Sequence, residues 1–149
     1  MQHVKQLSFF IPNRLGALQR ILAKLDEQPV RICAISILDA ADHAVVRLIV
    51  NRPAPAMTAL IEQGVPVFES ELLGVALRPD RPEIGIRRVL AALLAAEVKV
   101  EYVYALIVRV AGRPIVALHV DDPELAGKVL TDLGLGLVGQ DELAWDDVG

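Results

Sequence analysis

The chain has 149 residues, enough for one ordinary domain or two small ones, and its 54% hydrophobic content promises a well-filled core. A formal charge of −4 removes any electrostatic reason to expect nucleic acid, and the nearest approach to a basic run is Arg87-Arg88 inside a helical pattern. The single cysteine, Cys33, excludes an internal disulfide. No charged-then-apolar leader opens the chain and no apolar run reaches the roughly 18 residues of a membrane span, which predicts a cytoplasmic protein with no membrane partner.

In chain order, Val4 to Phe10 is the first strand, and the apolar run of the stretch Ser8-Phe9-Phe10-Ile11, fit for a buried strand, breaks at Pro12-Asn13. Past Gly16, the spacing of Leu18, Ile21, Leu22 and Leu25 predicts a helix from Ala17 to about Glu27. The β-branched stretch Val30 to Leu38 is the next strand, Asp39 to His43 a polar hairpin turn, and Val45 to Val50 a third strand. Asn51-Arg52-Pro53 caps a second helix carrying Ala56, Met57, Leu60 and Ile61, which stops at Gly64. Val67 to Leu72 is the fourth strand.

The second half repeats the order. Val75 to Leu77 is a short strand, and a turn-rich loop leads to a helix carrying Ile86, Val89, Leu90 and Leu93. Val98 to Leu106 alternates as a strand and pairs with Ile115 to Val120 across Gly112-Arg113-Pro114. Asp121-Asp122-Pro123 opens a helix ending at Gly134, and Leu137 to Leu143 is the last strand.

Leu18, Ile21, Leu22, Leu25, Val30 and Ile32 correspond at one offset to Ile86, Val89, Leu90, Leu93, Val98 and Val100. Val46, Leu48, Val50, Pro53, Leu60 and Gly64 correspond at an offset two residues larger to Val116, Leu118, Val120, Pro123, Leu130 and Gly134. The chain is therefore an internal duplication, with the extra residues in or near the second hairpin, where insertions are cheap. Each copy reads β-α-β-β-α-β. The fold class is α+β, two ferredoxin-like units with antiparallel sheets and helices on one face, divided as 1–73 and 74–149. Units of this size leave apolar sheet surface that seeks a partner, which predicts a homodimer.

Candidate chemistry concentrates at the first strand-to-helix turn. Strand, turn and helix N-terminus leave amide N–H groups unpaired, and the helix dipole favours an anion beside Asn13, Arg14, Leu15 and Gly16; the plain alternative is a connection with nothing bound. His3, His43 and His119 lack ligand spacing, so neither metal nor cofactor is expected. Ser36 has no nearby base, Cys33 lies among apolar neighbours, and the acidic pairs Asp121-Asp122 and Asp141-Glu142 read as helix caps and solvated ends. No catalytic set is visible, which predicts a protein that is not an enzyme. Tyr102 and Tyr104 share one strand face and serve either packing or a ligand seam; Trp145 reads as a packed end.

These residues resemble the ACT domains, small amino-acid-binding modules that regulate metabolic enzymes. The family signature is Asp or Asn, any residue, Pro-Gly, any residue, Leu. Asn13-Arg14-Leu15-Gly16-Ala17-Leu18 fits it except at Leu15, where proline is usual. Val30-Arg31-Ile32, Ala34 to Ala40 and Arg47 to Val50 carry further likeness, and Val98 to Tyr104 is similar to stand-alone tandem ACT proteins. In the second copy the glycine position falls on Ile84 and the proline position on Glu83, which argues that its turn is weakened as an anion site.

The resemblance implies an amino-acid-binding sensor working by allosteric regulation, with ligand at a seam between units. The N–H groups of Arg14 to Gly16 and the Asn13 side chain would hold the carboxylate. Ser36, or a partner's Tyr102 and Tyr104, would meet the ammonium or side chain. A metabolic enzyme is a possible second partner. The alternative is an interaction subunit resembling the small subunit of acetohydroxy acid synthase, without its own ligand.

Overall fold

A computed structural model describes residues 1–144; Trp145 lies outside the described residues. The elements are β1 (Val4–Pro12), α1 (Ala17–Asp26), β2 (Ile32–Asp39), β3 (His43–Val50), α2 (Pro53–Glu62), β4 (Val67–Ala76), α3 (Ile86–Ala95), β5 (Val100–Val110), β6 (Arg113–Val120), α4 (Pro123–Asp132), β7 (Gly136–Val138) and α5 (Gln140–Leu143). They form two compact units. The first is Lys5–Ser70; the second runs from Glu71 onward and includes Met1–Val4. The division falls inside β4, so that strand serves the first unit with its beginning and the second with its end.

The first unit has strand order β2-β3-β1-β4, with β1 and β2 both antiparallel to β3. Alternation puts Leu7, Phe9 and Ile11 of β1 and Val46, Leu48 and Val50 of β3 on one face. There they bury against Ile21 and Leu25 of α1 and Ala56 and Leu60 of α2. The second unit has order β5-β6-β4-β7, and Leu73, Val75, Val116, Leu118 and Val120 meet Val89 and Leu93 of α3 and Ala126 and Leu130 of α4. Each fully buried aliphatic side chain contributes about 1.5–3 kcal/mol of transfer free energy. Both units are ferredoxin-like.

The duplication extends to individual hydrogen bonds. Asn51 Oδ1 accepts from the Arg31 N–H at 2.7 Å, and the Asn51 N–H donates to the Arg31 carbonyl at 3.1 Å. Asp121 and Lys99 make the same reciprocal pair at 2.9 and 3.1 Å. Helices α2 and α4 both begin at a proline, which needs no N–H partner there, and both close on a left-handed glycine, Gly64 (φ 75°) and Gly134 (φ 85°). After those glycines, the N–H groups of Val65 and Leu135 return to the carbonyls of Leu60 and Leu130.

Four details depart from the sequence expectation. The strands predicted on either side of Gly74 are one strand, β4. A Cβ on Gly74 would stand 3.1 Å from Val4 Cγ1 and 3.3 Å from the Val138 carbonyl, so this glycine admits close neighbours and does not break the strand. The last strand stops at Val138; the Gly139 N–H donates to Glu142 Oε2 at 2.7 Å and turns Gln140–Leu143 into a short helix. Asn51 does not cap α2, because its oxygen is committed to Arg31; Asp122 does cap α4, accepting from the Leu125 N–H at 3.1 Å. The second hairpin turns at Ala111-Gly112, and Arg113 and Pro114 already belong to β6.

Asn51 is buried and Asp121 is exposed, so water replaces only the second when it is removed. Asn51→Ala should therefore lower stability by about 1–3 kcal/mol and Asp121→Ala by clearly less, read from urea unfolding midpoints.

Candidate functional site

The predicted turn is built by Pro12, Asn13 and Gly16. Pro12 ends β1, and its carbonyl accepts the Arg14 N–H at 2.8 Å. Asn13 ties the turn to the β2–β3 hairpin twice: its N–H donates to the Asp42 carbonyl at 3.1 Å and its Nδ2 to the Ala40 carbonyl at 3.3 Å. Gly16 then takes the left-handed conformation (φ 82°, ψ −5°) at the N-cap of α1. The Ala17 N–H bonds to the Arg14 carbonyl and the Arg20 N–H to the Gly16 carbonyl. Among the described residues, no backbone carbonyl accepts from the N–H groups of Leu15, Gly16, Leu18 or Gln19.

These four residues line a shallow cleft of about 430 Å³ together with Asn13, Ile37 and Asp39. A Cβ built on Gly16 would stand 3.4 Å from Arg20 Nη1, so a guanidinium guards the same turn. Orphan N–H groups, the positive end of the α1 dipole and Arg20 together favour a carboxylate; Asp39 offers the opposite charge for an ammonium, and Ile37 an apolar surface.

The predicted residues separate into groups. Asn13 and Arg14 brace the turn with their own hydrogen bonds, and Leu15 and Gly16 present N–H groups; the Leu15 side chain is fully exposed. Ser36 is absent from the cleft lining. It pairs across the sheet with Arg47, itself opposite Ser8, whereas Ile35 packs toward the helices. The period of two along β2 thus turns Ile37 and Asp39 toward the cleft and Ser36 to the other face. Tyr102 and Tyr104 belong to the second unit, where Tyr102 stacks on Tyr104 (6.3 Å) and on His119 (4.8 Å, interplanar angle 4°). His119 Nδ1 lies 2.7 Å from Glu101 Oε2, an ion-pair distance without hydrogen-bond angles. Asp39, Ile37, Gln19 and Arg20 were missed by sequence reasoning; counting alternate residues from Ile35 would have found the first two.

The corresponding turn of the second unit differs. Ile84 is buried in the core, and Gly85, at the N-cap of α3, is extended (φ −93°, ψ −169°), so no residue there has positive φ. Its cleft, about 570 Å³, includes Glu83 as well as Arg87 and Arg88. A hydrogen bond from Arg81 holds the Glu83 carboxyl below its usual range, and one from Arg78, at 2.6 Å, does the same for Asp80. Both carboxylates are thus engaged in ion pairs within the loop.

Nucleophilic chemistry at Cys33 is disfavoured. Burial pushes the thiol up to about 11, with the Arg31 charge pulling weakly the other way, and Sγ–H points at the Arg31 carbonyl 3.7 Å away. Among the described residues no group of three His, Cys, Asp or Glu side chains could hold a metal ion, and no helix is long and apolar enough to cross a membrane.

Two ferredoxin-like units in tandem, with a glycine turn at the first strand-to-helix junction, define a known class. Residues 2–145 match the ACT domain pair family, and the chain belongs to it. A solved structure of a Bacteroides thetaiotaomicron protein is 25% identical, covers 96% of each chain and superposes with a TM-score of 0.81. The ligand-free regulatory subunit of aspartate kinase from Thermus thermophilus is 14% identical over 90% of this chain and 92% of its own, with a TM-score of 0.60. A structure of aspartokinase alpha and beta subunits is 13% identical over 89% and 96%, at 0.53. No curated protein matches the chain by sequence.

Two measurements follow. Gly16→Ala forces a side chain into left-handed backbone and should cost about 1–2 kcal/mol, whereas Gly85→Ala, whose Cβ would sit 3.7 Å from the Pro82 carbonyl, should be neutral or slightly stabilising in the same urea titration. The unfolded Cys33 thiol ionises near 9.0 and the folded one near 11, so above pH 9 the unfolded state holds fewer protons. Stability should therefore fall between pH 9 and 11, and Cys33→Ala should remove that part of the pH dependence.

Proposed function

We propose that the protein is a non-catalytic sensor that binds a free amino acid at the Asn13–Gly16 turn and regulates a metabolic enzyme as a homodimer. The observation that supports this reading is the set of N–H groups of Leu15, Gly16, Leu18 and Gln19 that no backbone carbonyl accepts, on a cleft that also holds Asp39. A zwitterion needs both signs at one place. The carboxylate would lie over Gly16 against those N–H groups and Arg20, the ammonium would meet Asp39, and Ile37 would touch an apolar side chain. Family membership and the regulatory subunits among the fold's neighbours support the regulatory role. Ligand that holds one arrangement better than another shifts the population toward it, and that differential affinity is the signal.

A second reading, an interaction subunit without its own ligand, has one observation in its favour. Leu38, Val45 and Phe10 lie side by side across β2, β3 and β1, and Phe10 meets Phe68 edge-to-face, with Leu38, Phe10 and Phe68 all exposed. Exposed aromatic rows of this kind mark docking surfaces.

A thermal-shift screen against the twenty amino acids separates the two readings, since only a ligand raises the melting temperature in proportion to ln(1 + [L]/Kd). Calorimetric titration with the best hit should then show Gly16→Val weakening binding roughly 10- to 150-fold, about 1.4–3 kcal/mol, with Asp39→Asn also weaker and Gly85→Val close to unchanged. No hit in the screen, or full binding by Gly16→Val and Asp39→Asn, would remove the proposed site.

A further inference from the structure

A second hollow of the first unit, about 680 Å³ in volume, is lined along α1 from Arg14 to Glu27. The ten residues of α1 rise about 15 Å, so the hollow is a groove rather than a point site. Ala17 and Ile21, both buried, line its base, and Pro12 and Val65 add apolar surface from outside the helix. Three exposed cations border it: Arg14, Arg20 and Lys24. Among the described residues no acidic side chain lies within ion-pair distance of Arg14 or Arg20. Lys24 has Glu27 at 3.6 Å, a pair open to solvent at both ends. In a chain with a formal charge of −4, this row stands unneutralised beside apolar surface.

The second unit shows that the fold does not require the row. At the offset of the duplication Arg14 corresponds to Pro82, Arg20 to Arg88 and Lys24 to Ala92, so one cation of the three remains. The buried position is kept, as Ile21 and Val89 both show. Packing therefore accounts for the apolar base and leaves the charges unexplained. Their spacing selects the shape of an occupant. Arg20 and Lys24 are about one helical turn apart, about 6 Å along the axis. In an extended peptide, alternate side chains share one face and are about 6.6–6.8 Å apart. Carboxylates at alternate positions can thus meet the two cations in turn, which leaves the positions between them for the apolar surface. About five extended residues cover the length of α1.

We propose that the α1 groove docks an extended acidic segment of a partner protein, one in which carboxylates alternate with apolar side chains. The proposal rests on the regulatory reading above for the existence of a partner, and it does not depend on amino-acid binding. Exposed ion pairs add little singly, so recognition needs the row of cations and the apolar base together. A segment with its charges in the wrong order satisfies one and loses the other.

The test uses the full chain without amino acid, so a failure of the ligand site is read separately. Two fluorescein-labelled peptides of one composition serve as probes. One alternates aspartate with leucine, and the other carries its aspartates and leucines in separate blocks. In fluorescence anisotropy the alternating peptide should bind at low salt with a dissociation constant of about 10–100 μM, and binding should weaken as salt rises. The blocked peptide should bind about 5-fold more weakly. Arg14→Glu and Lys24→Glu should each weaken the alternating peptide about 5-fold, and together about 20-fold. Both side chains are exposed, and urea unfolding checks that each variant is folded. Arg20, which also guards the ligand turn, is left unchanged. Arg88→Glu, on the matching turn of α3, should leave binding close to wild type. No binding at low salt, equal binding of the two peptides, or an equal loss in Arg88→Glu and Lys24→Glu overturns the proposal. So does binding that appears only when residues 145–149 are removed, because the chain's own acidic end is then the occupant.

Discussion

The fold depends on a small reciprocal clamp made twice. A βαββαβ unit must bring its first helix down into β2 and launch its second helix from the end of β3 at the same end of the sheet. The two backbone segments that cross there carry N–H and C=O groups that no ladder satisfies. In the first unit Asn51 answers both groups of Arg31, and in the second Asp121 answers both groups of Lys99. With that end closed, α1 and α2, or α3 and α4, have one face of the sheet to lie on. The opposite end, where the first turn and the hairpin stand, remains open for something else.

The two copies treat the open end differently. In the first, Asn13 hydrogen-bonds the hairpin at two carbonyls, and the turn is held in the shape that strands four N–H groups over a cleft. In the second, Ile84 is drawn into the core and the loop secures itself with Arg78–Asp80 and Arg81–Glu83 ion pairs. Both copies keep the clamp, the helix prolines and the closing glycines, and they differ at this turn.

Much of this was legible in the sequence because the repeating unit is written in apolar spacing. The offsets between Leu25 and Leu93, or Leu60 and Leu130, are set by which residues must be buried, and burial is the strongest local signal a sequence carries. What escaped was governed by contacts distant along the chain. Gly74 looked like a strand breaker because its close neighbours, Val4 and Val138, are remote in sequence. The end of β7 depends on one carboxylate, Glu142, reaching a single N–H. Asn51 looked like a helix cap, the commonest use of asparagine before a proline, but its partner lies twenty residues upstream. In the candidate cleft, Asn13 to Gly16 follow from turn chemistry, whereas the lining also includes Ile37 and Asp39 and not Ser36, which strand parity carried into the hairpin would have shown.

The second unit is assembled from two pieces of chain, Met1–Val4 and the residues from Glu71 onward, with the whole first unit inserted between them. Left flexible, an insertion of that length would tax the second unit with the entropy of closing a long loop. Once the first unit is folded, its ends are already side by side, as the Lys5–Glu69 contact at 3.5 Å records. The insertion then behaves as a short rigid bridge, and the closure has been made in advance. Completion of the continuous unit thus lowers the entropic cost of closing the discontinuous one.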